Sequence, residues 1–231
     1  MKTRAGLSFI YSLCAYILIA QNSKSIEIKA FNEIFVYSGI EVKLFKSNKN
    51  NIIVKGKDAA AFIVSQKNKS LNLRSSIDKR LALDKIQVEL YFQEDINKII
   101  LNQGSSAFSN DTLKQTHVQI KLLEGSRLSL FLETEKTKAE VFSGSSLEIM
   151  GTSTSFDLFV GTGGISTSDE FVANQAKVKT RFGGIAYVKS KILMDATASF
   201  YGIIRVYGNP QKFIWKKSIG GKIRNMEKPS N

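Results

Sequence analysis

Cysteine, histidine, tryptophan and proline are nearly missing from this chain of 231 residues, which holds one cysteine, one histidine, one tryptophan and two prolines. The cysteine, Cys14, lies in an apolar stretch near the start, so the chain beyond it has neither a disulfide nor a thiol nucleophile. A lone histidine, His117, gives no material for a catalytic triad or a histidine-containing metal cluster. It opens an alternating strand with Gln119 and Lys121 on its face and reads as an exposed strand residue. Beyond the start, no run approaches the ~20 apolar residues that a membrane-spanning helix needs.

What the start does contain is Lys2 and Arg4, an apolar stretch from Leu7 to Ile19, and Ala20 before a polar Gln-Asn-Ser run. That order describes a secretory signal peptide over 1–20. Leu13, which precedes Cys14, is not the small residue that lipid attachment there would require. The expectation is an exported chain, in the periplasm, on the outer surface or outside the cell, soluble once the signal is removed.

The charge is lopsided, with 33 Lys and Arg against 20 Asp and Glu and a net charge of +13. Negatively charged partners are steered toward such a surface. Lysine greatly outnumbers arginine, however, and lysine along strands mainly solvates faces and blocks edge pairing. The basic residues are scattered and form neither an arm nor an aromatic platform, which argues against nucleic acid.

Glycine turns and abundant Val, Ile, Phe, Ser and Thr indicate strands. From Ile26 to Leu101 the pattern reads as strands with one interruption. Val36 to Leu44 is strand, turn, strand; Asn51 to Gly56, Leu71 to Leu73 and Ile86 to Phe92 supply more. Between them Asp58 is placed to cap a short helical turn over an Ala-Ala-Ala run. From Gly104 the chain repeats. Small-residue turns open at Gly104, Gly125, Gly144, Gly163, Gly183, Gly202 and Gly220, at spacings of 21, 19, 19, 20, 19 and 18 residues.

Each unit carries two alternating runs, such as Val118, Ile120 and Leu122 followed by Leu128 and Leu130, or Leu147 and Ile149 followed by Phe156, Leu158 and Val160. Period two means one face buried and one wet. A unit of that length matches one coil of a β-helix, with each short strand beside its counterpart in the next coil. A leucine-rich repeat has a similar period, but its Asn/Cys signature and helical half are absent. One coil alone buries too few aliphatic side chains to offset the entropy of ordering it, so the stack folds as a unit. The domain expected is 21–224, with N-terminal strands over 26–101 and glycine-ladder coils over 102–224, before a flexible tail at 225–231.

β-helices often carry polysaccharide lyases and hydrolases, which need clustered carboxylates for acid-base work or calcium. The candidates are Glu148, Asp157, Asp169, Glu170 and Asp195. Glu148 and Asp157 each sit between buried-type neighbours and point outward, and Asp169-Glu170 falls in a loop, so all five read as solvated surface groups. Gly161-Thr-Gly-Gly164 looks like a phosphate-cradling loop, but no Lys-Ser/Thr or helix follows; it reads as a coil corner. No catalytic, cofactor or metal residue is nominated. Phe131, Phe142 and Phe159 take outward registers in consecutive units and form a candidate interaction stripe.

Ser38-Gly39-Ile40-Glu41-Val42-Lys43-Leu44, the small turns at Ser143 to Ser146, Gly161 to Gly164 and Ser218 to Gly221, and Tyr207-Gly-Asn-Pro210 follow one another in the order typical of one bacterial family. Together they resemble the head GIN domain of auto-transporter adhesins over nearly all of the mature chain. Glu41 departs from the small or amide residue usual there, and Gly125-Ser-Arg and Gly202-Ile-Ile lack a second glycine. The resemblance implies an all-β, single-stranded right-handed parallel β-helix with coils of about 20 residues, exported in Bacteroidetes-type bacteria, with a role in adhesion. Asp111-Thr112-Leu113 also resembles the O-glycosylation acceptor of such exported proteins, at Thr112. Three readings follow: a non-catalytic module binding a glycan, an anionic envelope polymer or a protein through its flank; a carbohydrate-active β-helix enzyme; and an envelope component that self-associates.

Overall fold

The structure is a computed structural model that describes residues 23–76 and 85–227. The expected signal peptide, Cys14 included, lies outside the described residues, as does the tail from 228 onward.

The described chain is all-β, a parallel solenoid whose coils stack with a repeat of 19 residues, as in the Ser126–Ser145 pair. Its body comprises β9 (Ser106–Leu122), β10 (Arg127–Val141), β11 (Ser146–Val160), β12 (Ile165–Thr180) and β13 (Ile185–Ala198), each paired in parallel with the next. Two shorter strands complete the next coil: β14 (Ile203–Tyr207) on the first half of β13 and β15 (Lys212–Lys217) on the second. β16 (Lys222–Asn225) pairs with β14. Pairing therefore runs into the stretch expected to fray, and the Met226 amide donates to the Val206 carbonyl.

Within a coil the strands are longer than the short runs in the sequence suggested, because hydrogen bonding continues around a bend. The inward side chains of β10 are Leu128, Leu130, Leu132 and Thr134, then Thr137, Ala139 and Val141. The step from Thr134 to Thr137 breaks the period of two, leaving Glu135 and Lys136 both outside. Strict alternation would throw one arm inside out; this shift folds the strand into two arms that face each other. Buried hydroxyls satisfy one another at the bend, Thr134 to Thr137 at 2.7 Å and Thr134 to Ser153 at 3.0 Å. Inward residues form columns, for example Ile120, Ala139, Leu158, Val178 and Ala196 in one arm.

Unequal unit lengths are absorbed as bulges. Opposite Leu130, the longest unit interposes Ser109, Asn110 and Asp111, and opposite Ile149 and Met150 the next strand carries Ser168, Asp169 and Glu170. Asp169 and Glu170 thus sit in a bulged strand and not in the loop expected.

The N-terminal part is less regular. β2 (Glu33–Val36) and β3 (Glu41–Lys46) form the strand-turn-strand read from the sequence, yet they pair with other strands and not with each other. β2 lies parallel to β6 (Ser70–Ser75) and β8 (Lys98–Leu101), and β3 lies parallel to β7 (Gln87–Phe92) and β9. β1 (Ser23–Glu27), β4 (Asn51–Lys55) and β5 (Phe62–Lys67) add antiparallel pairings that close this end. The Ala59–Ala61 turn is a 3₁₀ turn, and Asp58 makes no side-chain capping hydrogen bond to it. Ala59 N bonds instead to the Gly56 carbonyl at 3.2 Å.

Candidate functional site

The two arms of each coil meet at a four-residue turn whose two central residues both have positive φ. The pairs are Ser38–Gly39, Gln103–Gly104, Glu124–Gly125, Ser143–Gly144, Thr162–Gly163, Phe182–Gly183, Phe200–Tyr201 and Ile219–Gly220. Such turns normally take Asn, Asp or Gly at these places. The counterpart of Gly183 is Tyr201, at φ 63°, and not Gly202, so the last spacings are 18 and 19. Gly202 occupies the fourth position, with Gly164, Gly184 and Gly221.

The turns are stitched to one another. The second left-handed residue of each donates its amide to the carbonyl of the first in the next coil, from Gly104 to Glu124 at 2.8 Å through Tyr201 to Ile219 at 3.1 Å. At the fourth position Ser105 and Ser126 donate their hydroxyls to the carbonyls of Val36 and Leu101. Later coils use glycine there: a Cβ on Gly184 would stand 2.4 Å from the Val160 oxygen.

This corner changes character along the stack. Its first left-handed position reads Gln103, Glu124, Ser143 and Thr162 in the early coils, then Phe182, Phe200 and Ile219. Phe182 and Phe200 stack with centroids 5.1 Å apart, and the Arg181 guanidinium lies over both rings at 5.5 and 5.4 Å. Phe182 is 56% exposed, Tyr201 73% and Ile219 59%. On the same corner two coils earlier, Phe142 packs edge-on to Phe159 at 5.1 Å and fills the space that Gly161 leaves empty. Left-handed backbone costs non-glycine residues ~1–2 kcal/mol each, and none of the Phe, Tyr or Ile side chains can offset this with a local hydrogen bond as Asn or Asp does. Strained backbone positions cluster at ligand clamps and switch regions, and in the later coils they carry the exposed Phe182, Tyr201 and Ile219.

The expected stripe is split. Phe142 and Phe159 meet, whereas Phe131 lies in the other arm, opposite Thr112 and Met150. Phe182, Phe200 and Tyr201 escaped the sequence reading because an aromatic is not expected where φ is positive. The detectable signal was an apolar residue before the small turn, in Arg181-Phe-Gly-Gly and Ser199-Phe-Tyr-Gly, where earlier units carry Gln, Glu, Ser or Thr.

The carboxylates are dispersed. Asp157 lies between Lys138 and Lys177 on the neighbouring strands, and Asp195 lies beside Lys177. Opposite charges directly across strands stabilise a sheet modestly. Glu148 accepts from the Ser129 hydroxyl at 3.0 Å in the other arm. Among the described residues no group of three or more His, Cys, Asp or Glu side chains is placed to hold a metal ion. His117 is exposed at the rim of a polar depression with Lys69, Glu94 and Asp95. Gly161 to Gly164 is a coil corner. Thr112 is exposed on β9 immediately after the Ser109–Asp111 bulge. Among the described residues no helix is long and apolar enough to cross a membrane.

Comparison with known proteins gives a consistent frame. Residues 30–210 match the family model "Putative auto-transporter adhesin, head GIN domain". The chain is similar in structure to a putative adhesin from Bacteroides fragilis NCTC 9343, with a TM-score of 0.79 at 18% identity over 88% of this chain and 96% of that one. A putative adhesin from Parabacteroides distasonis ATCC 8503 gives 0.68 at 18% identity over 88% and 95%. A putative lipid binding protein from the same strain gives 0.61 at 14% identity over 89% and 97%. At these identities the likeness shows the fold. No curated protein matches.

Proposed function

Since the chain belongs to the head GIN domain family of auto-transporter adhesins, we propose that it is an exported, non-catalytic binding module of the cell envelope that holds anionic glycans through its aromatic turn ridge. The observation that carries this reading is the Phe182–Phe200 stack beneath Arg181, flanked by Tyr201, on backbone that favours glycine. Ring faces and edges receive the apolar faces of sugars, and the guanidinium pairs with a carboxylate or sulfate on them. The non-catalytic part is supported by Glu148, Asp157 and Asp195, each set against a lysine or a serine hydroxyl, and by the lack, among the described residues, of any group of three or more such side chains placed to hold a metal ion. Export to the periplasm or outer surface rests on the sequence of residues 1–20 and on the family.

The test is binding of the mature protein to a glycan array and to isolated envelope material, for wild type, F182A/F200A and R181A. Losing a stacked aromatic anchor costs ~2 kcal/mol or more, about 30-fold in Kd. Undiminished retention by F182A/F200A, with the fold intact, overturns the assignment to the ridge. R181A should weaken only the anionic ligands, and less so as salt rises.

A further inference from the structure

The two ends of the stack differ. The N-terminal end is closed by antiparallel strands, whereas among the described residues β15 pairs only with β13 and β16 only with β14. One edge of each therefore carries a row of main-chain donors and acceptors with no further strand. The columns also run out into the open here: Trp215 continues Ala196 and Lys217 continues Ala198, so both take inward registers with no coil above them among the described residues. Trp215 is 55% exposed, and the Lys217 ammonium lies 5.4 Å from its ring centroid.

Charge sets this edge apart from the rungs below. There, cations alternate with carboxylates across strands, as in Lys138, Asp157, Lys177 and Asp195. The last coil carries Lys212, Lys216, Lys217, Lys222 and Arg224, and none makes an ion pair among the described residues. Arg224 even stands beside Arg205, whose guanidinium is engaged by the Tyr187 hydroxyl at 3.0 Å. Lysine on an edge repels a second basic copy, and the same residues attract a strand of opposite sign.

We infer that the C-terminal edge, β15 above all, is a docking site for an extended acidic segment of a partner protein, which adds as the next parallel rung. Main-chain pairing supplies the affinity and the alternate side chains the specificity: apolar residues fall on Trp215 and the open columns, and carboxylates on the outward face reach Lys212 and Lys216. The site is separate from the aromatic ridge and does not depend on the glycan reading.

Trp215 is the chain's single tryptophan, so its fluorescence reports on this site alone. The probe is an end-blocked ten-residue peptide of alternating glutamate and valine, titrated into the mature protein. The expected result is a saturable shift of emission to shorter wavelength, slowed hydrogen exchange at the amides of 212–217, and no response to a lysine-valine peptide. K212E/K216E should weaken binding roughly tenfold while leaving the urea midpoint and ridge-dependent glycan binding unchanged, which separates this site from the ridge. Equal binding by a peptide N-methylated at every second residue, or an equal Trp215 emission shift with dextran sulfate in F182A/F200A protein, overturns strand addition in favour of charge alone. A protein that sediments as a dimer with Trp215 already shielded overturns it in favour of a second copy.

Discussion

Gly183 and Gly184 are neighbours in one turn, yet a methyl group added to each meets a different obstacle. At Gly183, φ is 74° and no heavy atom lies within 4 Å of the added Cβ, so the cost is purely one of backbone conformation. Left-handed alanine costs ~1–2 kcal/mol, and the reduced freedom of the unfolded chain returns ~0.4–1 kcal/mol, which leaves about 1 kcal/mol. At Gly184 the backbone is unstrained, but the Cβ would stand 2.4 Å from the Val160 oxygen and 2.7 Å from its carbon. Neither main-chain atom can rotate away, so the coils must separate. Overpacking of this kind costs ~1–3 kcal/mol, and weakening the adjacent Arg181 N to Val160 O and Ile203 N to Gly184 O bonds, both at 2.9 Å, adds ~0.5–1.5 kcal/mol each. G184A should therefore lose about 2–6 kcal/mol against about 1 for G183A. Equilibrium urea denaturation followed by far-UV circular dichroism measures both. G183N should stay close to wild type because asparagine tolerates left-handed backbone, and G184N should not. If G183A proves the worse of the two, close approach between coils is not what glycine serves at the fourth turn position.

Three further outcomes follow. Y201G removes a left-handed non-glycine residue and should raise stability by up to about 1 kcal/mol while weakening ridge-dependent binding, so a fall in its urea midpoint counts against strain at that turn. Tyr91 is stacked on Phe45 and donates to Glu89 at 3.3 Å; burial first, then the Glu89 charge and that hydrogen bond, raise its pKa above the ordinary 10.0. Because the folded state holds this proton more tightly, the stabilisation is complete below about pH 10 and is lost as pH rises through the folded value; the Y91F midpoint should fall less steeply across about pH 9–11 than the wild-type midpoint. Finally, protein purified from an exporting Bacteroidetes host should carry a glycan mass on the peptide containing Thr112, and an unmodified peptide removes that assignment.

The stacked architecture was legible because period-two alternation and a recurring turn both survive in single residues: Leu128, Leu147, Ile149 and Leu158 all face inward as their spacing demands. The bend was not, since Thr134 and Thr137 are buried polar residues in a run that otherwise marks burial with aliphatics. Counting glycine letters misaligned the turn at Tyr201, where backbone conformation is kept and the residue that eases it is not. Two of the three stripe residues, Phe142 and Phe159, share one arm as their registers allow. Phe131 misled because outward registers in two different arms look the same in sequence. The Phe182–Phe200 ridge and the open edge at Trp215 depend on which coil comes last, which alternation cannot tell.

The rows of hydrogen bonds between coils also govern how the molecule answers to force. Each coil is held to the stack by its own set of parallel pairings, so tension on the C-terminal end would peel β16 and β15 before it loads the coils beneath. Every coil then released lengthens the tether by about 60 Å, dissipating work in small instalments. An attachment protein under flow would thereby stretch by stages and keep its remaining grip.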